Sequence, residues 1–449
     1  MRFDLITIFP EYFAPLSLSL LGKAQQDGAL QIHVHNLRDH ATGKHLAVDD
    51  TPAGGGAGMV MRPDVWGEAI DASIKEAVAD EGESPSPFRV VLAIPTPSGI
   101  PLNQRLLEDL TSADQIIVAC GRYEGVDARV AEHYADGTES VEVLEFSLGD
   151  YVLNGGEVAA LALVEGVSRL IDGVVGNPDS LVEESHSEAG LLEYPAFTRP
   201  KQWRDREIPG VLFSGDHGRI ARWRRDRALE KTAQCRPDMI EKLLEQPGSL
   251  DKRDREVLAR EGILLQPRRA SVSFRVLEPT EAEIQRVSDL AGRTFPLACP
   301  PGTPDEEIED FVQTSLSPEV IAAMVTEGAR ICVAEVDKQM VAYTLTLPEV
   351  DLDEVGGTEI PERSAYLSKC YTDPDWHGSG ISGAVLDFAI EDALAAWSPE
   401  AIVLGTNRGN HRAAKFYRHH GFVKAGKRTF IVGGREHLDD VFVLDLTSV

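Results

Sequence analysis

The chain has 449 residues, of which 43% are hydrophobic and 26% charged, so its length indicates two or three globular domains. Its net charge of −29 argues against nonspecific nucleic-acid binding, which depends on neutralising phosphates, and an RNA-binding function would need a local basic face. The five cysteines are scattered without a CxxC pair, which argues against a zinc site and a disulfide framework and predicts a cytoplasmic protein. No run approaches 18 apolar residues and the N-terminus has no long apolar segment, so neither a membrane span nor a signal peptide is expected.

The first part of the chain alternates strands with helices. Strands are predicted at Arg2–Phe9, Leu30–Leu37, Arg89–Ile94 and Gln115–Ala119, and helices at Asp64–Glu81, Asn103–Leu110 and from Glu157 onward. This alternation implies a mostly parallel sheet, whose ligands collect in loops beyond the strand C-termini. Three loops of that kind are predicted, at Thr96–Gly99, Gly121–Gly125 and Ser147–Gly156.

Two other features of this part suggest ligand sites less strongly. His33 and His35 lie on one face of the second strand, where a structural role is favoured because no third metal ligand is evident nearby. The glycine-rich segment Val48–Met59 lacks the Gly-Lys-Ser/Thr ending of a phosphate loop and the spacing of a dinucleotide fingerprint. The sequence therefore predicts neither a metal site nor a nucleotide triphosphate site here.

The stretch from Glu145 to Ile171 is the most informative in the chain. It contains a polar turn at Gly149–Asp150, an apolar patch at Tyr151–Leu153 and the pair Gly155–Gly156, followed by a helix. The two glycines can take positive φ and allow another backbone or a flat ligand to approach closely. A helix start with glycine in its turn is the alternative interpretation.

The segments CGRYEGVD (120–127) and SLGDYVLNGGE (147–157) resemble the bacterial tRNA (guanine-37-N1)-methyltransferase family, which belongs to the knotted SPOUT class. The resemblance runs from Met1 to about Gln266. It implies an α/β domain with a trefoil knot at residues 1–176, an interdomain linker at 177–190 and a helical tRNA-binding domain at 191–266. It also implies a homodimer, S-adenosylmethionine as cofactor and the tRNA anticodon loop as partner, with the glycine-rich segment near the site.

The resemblance assigns the residues of the first site. Those expected to contact S-adenosylmethionine are Pro97, Gly121, Tyr123, Glu124, Leu148, Gly149, Asp150, Tyr151, Val152, Leu153, Gly155 and Gly156. Pro97 alone is equally explained as a turn residue. Magnesium is associated with the family, and the sequence shows no dedicated ligand cluster beyond Glu124.

The resemblance also assigns two catalytic residues, Arg169 and Glu184. A carboxylate can take the proton from guanine N1, and a guanidinium near O6 can hold the charge that develops there. Glu184 stands where the family has Asp directly before Ser185, and Ala189 is an extra residue in the same linker. A glutamate carboxylate reaches one methylene further, and misplacement by ~1 Å can cost about a hundredfold in rate.

A local basic face is offered by Arg219–Arg227, which holds five arginines around Trp223. A solvated helix face with i, i+4 ion pairs is the alternative interpretation. The residues expected to contact RNA are Arg199, His217, Arg222 and Arg225.

A new pattern of strands and helices begins at Val272. The segments DPDWHGSGIS (373–382) and NHRAAKFYRHHGF (410–422) resemble the GNAT acyltransferase superfamily, which implies an α+β domain at 272–449. A glycine turn at a helix N-terminus is a physical cradle for a pyrophosphate. The resemblance implies acetyl-CoA as cofactor, bound by His377, Gly378, Gly380, Ser382 and Asn410.

Two positions in this second site depart from the superfamily pattern. His377 stands where Arg or Gln is usual, and Ser382 where Gly or Ala is usual. Tyr417 is the candidate acid that protonates the departing CoA thiolate, with a core aromatic as the alternative interpretation. Glu335 on a central strand is the candidate general base, and the acceptor amine is not evident.

Three functional hypotheses follow. The first is a tRNA methyltransferase fused to an acetyltransferase. The second is a methyltransferase whose C-terminal part is a catalytically silent acetyl-CoA-binding or interaction module. The third is an RNA-binding protein with impaired methylation because of Glu184.

Overall fold

A computed structural model describes residues 1–81, 88–137, 141–176, 185, 190–245, 248–299, 303–351, 355, 358–432 and 435–447. The chain divides into two compact units, Met1–Glu188 and Ala189–Val449. The predicted linker at 177–190 lies almost entirely outside the described residues. The predicted boundaries at 176, 190 and 266 stay predictions.

The first unit alternates strands and helices as the sequence predicts. Its strands are β1 (Arg2–Thr7), β2 (Gln31–Asn36), β3 (Asp49–Asp50), β4 (Val60–Met61), β5 (Val90–Pro101), β6 (Gln115–Ala119) and β7 (Val141–Ser147). Its helices are α1 (Ser19–Gln26), α2 (Pro63–Glu81), α3 (Gln104–Leu110), α4 (Ala128–Gly137) and α5 (Glu157–Ser168).

Five of these strands form a parallel sheet in the order β2-β1-β6-β5-β7. Successive residues of a strand point to opposite faces, so β6 sends Ile116 and Val118 to one hydrophobic cluster and Ile117 to the other. The first cluster is completed by residues of α3 and α5, and the second by residues of α2 and α4. A parallel sheet covered on both faces is the predicted α/β architecture. The trefoil knot stays a prediction.

A buried charge lies at the start of β1. Asp4 is fully buried and accepts hydrogen bonds from Arg2 at 2.8 Å and from Gln115 at 2.7 Å. His35 Nε2 lies 2.8 Å from the same carboxylate. These bonds hold the pKa of Asp4 below its usual range although burial acts to raise it. His35 therefore has the structural role that the sequence favours.

The second unit begins with helices and continues into a large sheet. Its helices are α6 (His217–Cys235), α7 (Pro237–Leu244), α8 (Lys252–Arg260), α9 (Glu281–Thr294), α10 (Asp305–Ser315), α11 (Pro318–Thr326), α12 (Ile381–Trp397) and α13 (His411–His419). Its strands are β8 (Gln202–Trp203), β9 (Arg206–Glu207), β10 (Ile263–Leu264), β11 (Ala270–Val276), β12 (Arg330–Val336), β13 (Gln339–Leu347), β14 (Ser364–Thr372), β15 (Ala401–Asn407), β16 (Val423–Val432) and β17 (Arg435–Asp445).

Eight strands of this unit form one sheet in the order β10-β11-β12-β13-β14-β15-β17-β16. All pairs are antiparallel except β14 and β15. That parallel pair ends at Tyr366 and Val403, although both strands continue, so the two strands separate beyond this point. Residues of α9 and α11 pack against the sheet in one hydrophobic cluster. Residues of α12 and α13 pack against it in two other hydrophobic clusters. The α+β prediction for this region is confirmed.

Candidate active sites

Three loops of the first unit meet at the carboxyl ends of its central strands. β5 pairs with β7 through a register shift between Pro95 and Ile100, so residues 96–99 project out of the ladder. The amide of Gly156 donates to the carbonyl of Gly121 at 2.9 Å, which joins the second loop to the third. A Cβ on Gly156 would lie 3.1 Å from Cγ of Pro95, so the first loop packs at the same point. The three loops predicted from the strand order therefore form one region.

Close packing requires glycine at position 156 and places Gly155 against the Arg122 side chain. A Cβ on Gly155 would lie 2.2 Å from Nε of Arg122, and one on Gly156 would lie 2.9 Å from Cα of Cys120. Gly156 has φ −79°, which any residue can adopt. Of the two reasons for glycine that the sequence suggested, close approach of another part of the chain is the one that applies here.

An ion pair fixes this glycine pair to the rest of the unit. Arg122 Nε donates to Oε1 of Glu157 at 3.0 Å, and a second guanidinium nitrogen lies 2.9 Å from Oε2. The Glu157 side chain is 1% exposed and also accepts a bond from the Thr7 hydroxyl at 2.8 Å. The guanidinium carbon of Arg122 lies 4.7 Å from the ring centre of Phe9 and 5.4 Å from that of Tyr12. Strand β1, the second loop and α5 are thereby joined.

The glycine-rich segment also packs against the second loop. The amide of Glu124 donates to the carbonyl of Met59 at 3.0 Å, and that of Met61 donates to the carbonyl of Gly125 at 2.9 Å. A Cβ on Gly58 would lie 2.1 Å from a carboxylate oxygen of Glu124. The segment therefore packs directly against the second loop.

The third loop presents apolar side chains at the surface. Tyr151, Leu153 and Asp150 are exposed, and Val152 is 80% exposed, an unusual state for a valine. Leu148 instead packs against the core of the unit. The amide of Tyr151 donates to the carbonyl of Gly149 at 2.8 Å, which shapes the turn.

The other residues that the sequence assigned to the first site differ in exposure and position. Tyr123, Glu124 and Pro97 are exposed, and Tyr123 has φ 60°, a conformation that is uncommon for a tyrosine. Arg169 is the residue after α5, where it is partly buried and its amide donates to the carbonyl of Glu165. Glu184 and the extra Ala189 lie outside the described residues.

The arginine-rich helix α6 is held by an acidic residue of α8. Asp254 is fully buried and accepts bonds from Arg225 at 2.7 Å and Arg222 at 2.8 Å. Arg222 also pairs with Asp226 one turn further on, at 2.6 Å. These bonds lower the pKa of Asp254 against the effect of burial. Ion pairing along a helix, the alternative interpretation of these arginines, therefore describes Arg222. Arg222 and Arg225 both also fix α6 to α8.

Arg199 and His217 differ from those two arginines in exposure. Both are exposed, and His217 is the first residue of α6. The preceding Asp216 caps the helix by accepting a hydrogen bond from the amide of Arg219 at 3.0 Å.

The predicted second site lies where β14 and β15 separate. Gly380 precedes α12 with φ 98°, and Gly378 has φ 86°. The His377 ring bonds the carbonyl of Thr372 at 3.1 Å, and the Ser382 hydroxyl lies 2.9 Å from that of Thr372. The two residues that depart from the superfamily pattern are thus both turned to the end of β14.

Asn410 and Tyr417 also have partners within the chain. The Asn410 side chain caps α13 by accepting a bond from the amide of Ala413 at 3.0 Å. Burial raises the pKa of the Tyr417 hydroxyl, and the neighbouring Cys370 on β14 raises it further. Tyr417 also lies with Phe416 and Phe422 in one aromatic group, so the core-aromatic interpretation describes its surroundings.

Glu335 is unsuited to the base role that its strand position suggested. Its two carboxylate oxygens accept bonds from Arg275 at 3.0 Å and from Arg286 at 2.7 Å. The hydrogen bond from Arg275 is the main reason that the pKa of Glu335 is lowered. A carboxylate held by two arginines is a weak proton acceptor.

Sequence reasoning missed three residues that build these regions. Arg122 and Glu157 both belong to the quoted segments, but neither was assigned a role, and only their ion pair in the structure reveals one. Glu256 on α8 had no sequence signal, and its side chain is 1% exposed beside the first turn of α12.

Membrane-spanning helices and metal-ligand clusters are both absent from the described residues. No described helix has the length and apolar character needed to cross a membrane. No group of three or more His, Cys, Asp or Glu within the described ranges could hold a metal ion.

Comparison with known proteins identifies the family. A family model described as tRNA (Guanine-1)-methyltransferase TrmD matches residues 1–242, and one described as Acetyltransferase (GNAT) family matches residues 284–422. A protein of Paenarthrobacter aurescens named tRNA (guanine-N(1)-)-methyltransferase is 54% identical over 259 residues, which are 58% of this chain and 92% of that protein. Proteins with the same name from Salinispora arenicola and Thermobifida fusca are 53% and 52% identical, covering 60% and 59% of this chain and 98% and 97% of their own length. The chain therefore belongs to the tRNA (guanine-1)-methyltransferase family and carries a GNAT-family domain after the part that its relatives share.

Proposed function

We propose that the chain methylates N1 of guanosine 37 in tRNA. The observation that carries this proposal is the joining of the Gly121 and Gly156 loops at the carboxyl ends of a parallel sheet, in a chain of this family. Ligands of such sheets bind at that edge, and the base to be methylated is more accessible in an anticodon loop than in a duplex.

S-adenosylmethionine supplies the methyl group when it is bound. The exposed apolar side chains of Tyr151–Leu153 fit the adenine ring of such a ligand, and the close packing at Gly155 and Gly156 fixes the loop that presents them. The residues proposed to hold it are Pro97, Gly121, Tyr123, Glu124, Leu148, Gly149, Asp150, Tyr151, Val152, Leu153, Gly155 and Gly156. For magnesium, this set offers the carboxylates of Glu124 and Asp150.

Glu184 and Arg169 are the proposed catalytic residues. The Glu184 carboxylate would accept the proton from guanine N1, and the Arg169 guanidinium would stabilise negative charge at O6. Arg169 follows α5, the helix that begins at the glycine pair, so the packing of that helix positions it. Arg199 and His217 are proposed to contact the RNA from their exposed positions.

Arg222 and Arg225 are proposed to act on RNA while still bound to Asp254. A guanidinium group has five donors in a fixed fork, and a carboxylate partner leaves some of them for a phosphate. Their side chains are 27% and 34% exposed, which leaves one edge of each accessible.

We also propose that the chain is a homodimer. Phe9, Tyr12, Leu18 and Leu20 are large apolar side chains that are all exposed on the first unit. Phe9 and Tyr12 contact Arg122 of the second loop, so this surface adjoins the proposed methylation site. Exposed apolar side chains next to a site are typical of a protein interface. Sedimentation of the full chain at micromolar concentration should give twice the monomer mass, and a monomer would contradict the proposal.

For the GNAT-family domain we propose one of two functions. Transfer of an acetyl group from acetyl-CoA to an amine is supported by the family match and by the separation of β14 from β15. In that function His377, Gly378, Gly380, Ser382 and Asn410 would bind acetyl-CoA and Tyr417 would be the acid. A catalytically silent module is supported by the internal partners that Asn410 and Tyr417 have.

Methyl transfer to unmodified tRNA with guanosine 37 tests the main proposal. We expect turnover by the wild-type chain, with loss of about a hundredfold or more in Glu184→Gln and Arg169→Ala. Glu165→Gln, an exposed residue of α5, is the matched control and should keep wild-type turnover. Primer extension should place the methyl group at position 37. Cofactor binding without turnover in the wild-type chain would favour an RNA-binding protein with impaired methylation.

A further inference from the structure

Helix α8 covers the first turn of α12, the helix expected to receive the pyrophosphate of acetyl-CoA. A Cβ on Gly380 would lie 2.3 Å from the carbonyl oxygen of Arg255, and one on Gly383 would lie 2.7 Å from Cδ of Glu256. Real Cβ atoms do not approach other atoms so closely. Two glycines at the start of α12 are therefore explained by contact with another helix of the same unit, without any ligand.

The contact places the carboxyl group of Glu256 beside Gly383, in the first turn of α12. The amides of the first turn of a helix carry partial positive charge, which stabilises a nearby anion. The Glu256 side chain is 1% exposed, and its Oε1 has no hydrogen-bond partner within the described part of the chain. Burial acts to raise its pKa, but nearby His420, Lys252 and Arg253 together lower it to about 2. The carboxylate is therefore ionised at neutral pH.

Arg253 and Lys252 of α8 and the His420 side chain surround this carboxylate. Arg253 on α8 donates to Oε2 of Glu256 at 3.2 Å, and Lys252 lies 3.6 Å from Oε1. His420, after α13, lies 3.7 Å from Oε1 and 3.4 Å from Asp387 on α12. Glu256 thus joins α8, α12 and the end of α13 through one buried network.

The docking of α8 is built into the core of the unit. Ala259 of α8 belongs to the same buried cluster as Ile381, Ala384 and Val385 of α12. The short strand β10, which follows α8, pairs with the first long strand of the sheet, Ile263 with Ser271 and Leu264 with Ala270. On the surface, Arg260 of α8 pairs with Glu391 of α12. A helix fixed by a shared core and a strand pair is a permanent part of the fold.

We propose that Glu256 occupies the anion site at the start of α12 in place of the acetyl-CoA pyrophosphate, so that this domain is a scaffold docked to α8 and does not bind acetyl-CoA at that helix. A pyrophosphate would bring a second negative charge next to a buried carboxylate, which is unfavourable. The residues present therefore do not fit the cofactor that the family implies. The inference concerns the second domain alone and is independent of methyl transfer.

Calorimetric titration of the full chain with acetyl-CoA tests the inference. We expect the wild-type chain to bind more weakly than about 1 mM, and Glu256→Gln to bind at least about tenfold more tightly because one like charge is removed. Glu281→Gln is the matched control, since Glu281 lies in the first turn of α9 and is exposed. It should behave as the wild type. Micromolar binding by the wild type, or no gain in Glu256→Gln, would overturn the inference.

Hydrogen exchange keeps the test decisive if Glu256→Gln does not fold. In the wild-type chain the amides of α8 should be protected equally with and without acetyl-CoA. Loss of protection in residues 252–260 on adding acetyl-CoA would show that the ligand displaces the helix and would overturn the inference. Methyl transfer measured on the same wild-type preparation reports separately on the proposed methylation, so failure of one proposal is distinguishable from failure of the other.

Discussion

Replacement of Gly156 by alanine should separate the loops of the proposed methylation site. The new Cβ would lie 2.9 Å from Cα of Cys120, 3.1 Å from Cγ of Pro95 and 3.2 Å from the nitrogen of Gly121. Ordinary contacts of a Cβ begin at 3.4 Å, so the chain must give way by about 0.5 Å at the closest of these atoms. Two of the three atoms belong to the backbone, so a change of rotamer cannot relieve the contact.

The expected cost follows from that displacement. Overpacking of this kind lowers the free energy of unfolding by about 1–3 kcal/mol. A misplacement of ~1 Å costs about a hundredfold in rate, so one of about 0.5 Å should cost about tenfold. We therefore expect Gly156→Ala to lower kcat/KM for methyl transfer about tenfold and to lower the urea midpoint.

Gly67→Ala is the matched control for this experiment. Gly67 lies in α2 with nothing within 4 Å of its Cβ position, so alanine should stabilise the helix by about 1 kcal/mol and leave methyl transfer unchanged. Wild-type activity and stability in Gly156→Ala would refute the claim that close packing at this glycine maintains the site.

Three further substitutions test buried charges. Glu157→Gln should lower the free energy of unfolding by about 3 kcal/mol in urea titrations, because it leaves Arg122 without its partner, and an unchanged value would contradict the pairing. Asp254→Asn should cost about as much. Because the pKa of Asp254 is lowered in the folded chain, its contribution is present above the unfolded pKa of about 3.9 and is lost as the pH falls, so the variant should show a flatter acid profile. His420→Gln tests the opposite sign. Asp387 and Glu256 raise the pKa of His420 against the effect of burial, so its stabilisation is present below about 6.5 and is lost as the pH rises through the folded value. Denaturation at pH 6 and pH 9 should show the wild type losing its advantage over His420→Gln at the higher pH, and a constant difference would exclude this role.

Much of the first unit could be predicted from local patterns. Strands such as Gln115–Ala119 are continuous apolar runs bounded by polar residues, so their positions follow from composition. The order of strands and helices then places the ends of β5, β6 and β7 at one edge, where the three loops were expected. The sequence analysis does not predict helix α4 (Ala128–Gly137), although its buried Val130 and Tyr134 stand four residues apart, as in a helix.

The ion pairs of the chain could not be predicted in the same way. Arg122 and Glu157 are far apart in sequence. The residues next to Arg122 therefore do not indicate which acidic residue it pairs with. The arginines of α6 show the same limit, because Asp254 lies on a different helix and is buried only once the three helices pack. The pattern of charges along one helix reveals i, i+4 pairs such as Arg222 with Asp226. It does not reveal ion pairs between different helices.

The glycine segment at 378–383 shows why a sequence pattern can predict a conformation without predicting its cause. The sequence predicts a glycine turn before this helix, and in the structure Gly378 and Gly380 of that turn both take positive φ. A pyrophosphate bound at the start of α12 would require glycines there, because it needs room and accessible amides. Another part of the chain packed at the same place would also require glycines, because it leaves no room for a Cβ. The carbonyl of Arg255 and the carboxylate of Glu256 distinguish the two causes here, because they lie where substituted side chains would be and already supply the negative charge. A family pattern therefore predicts the shape of this turn, while its occupant depends on a helix that precedes the domain in the chain.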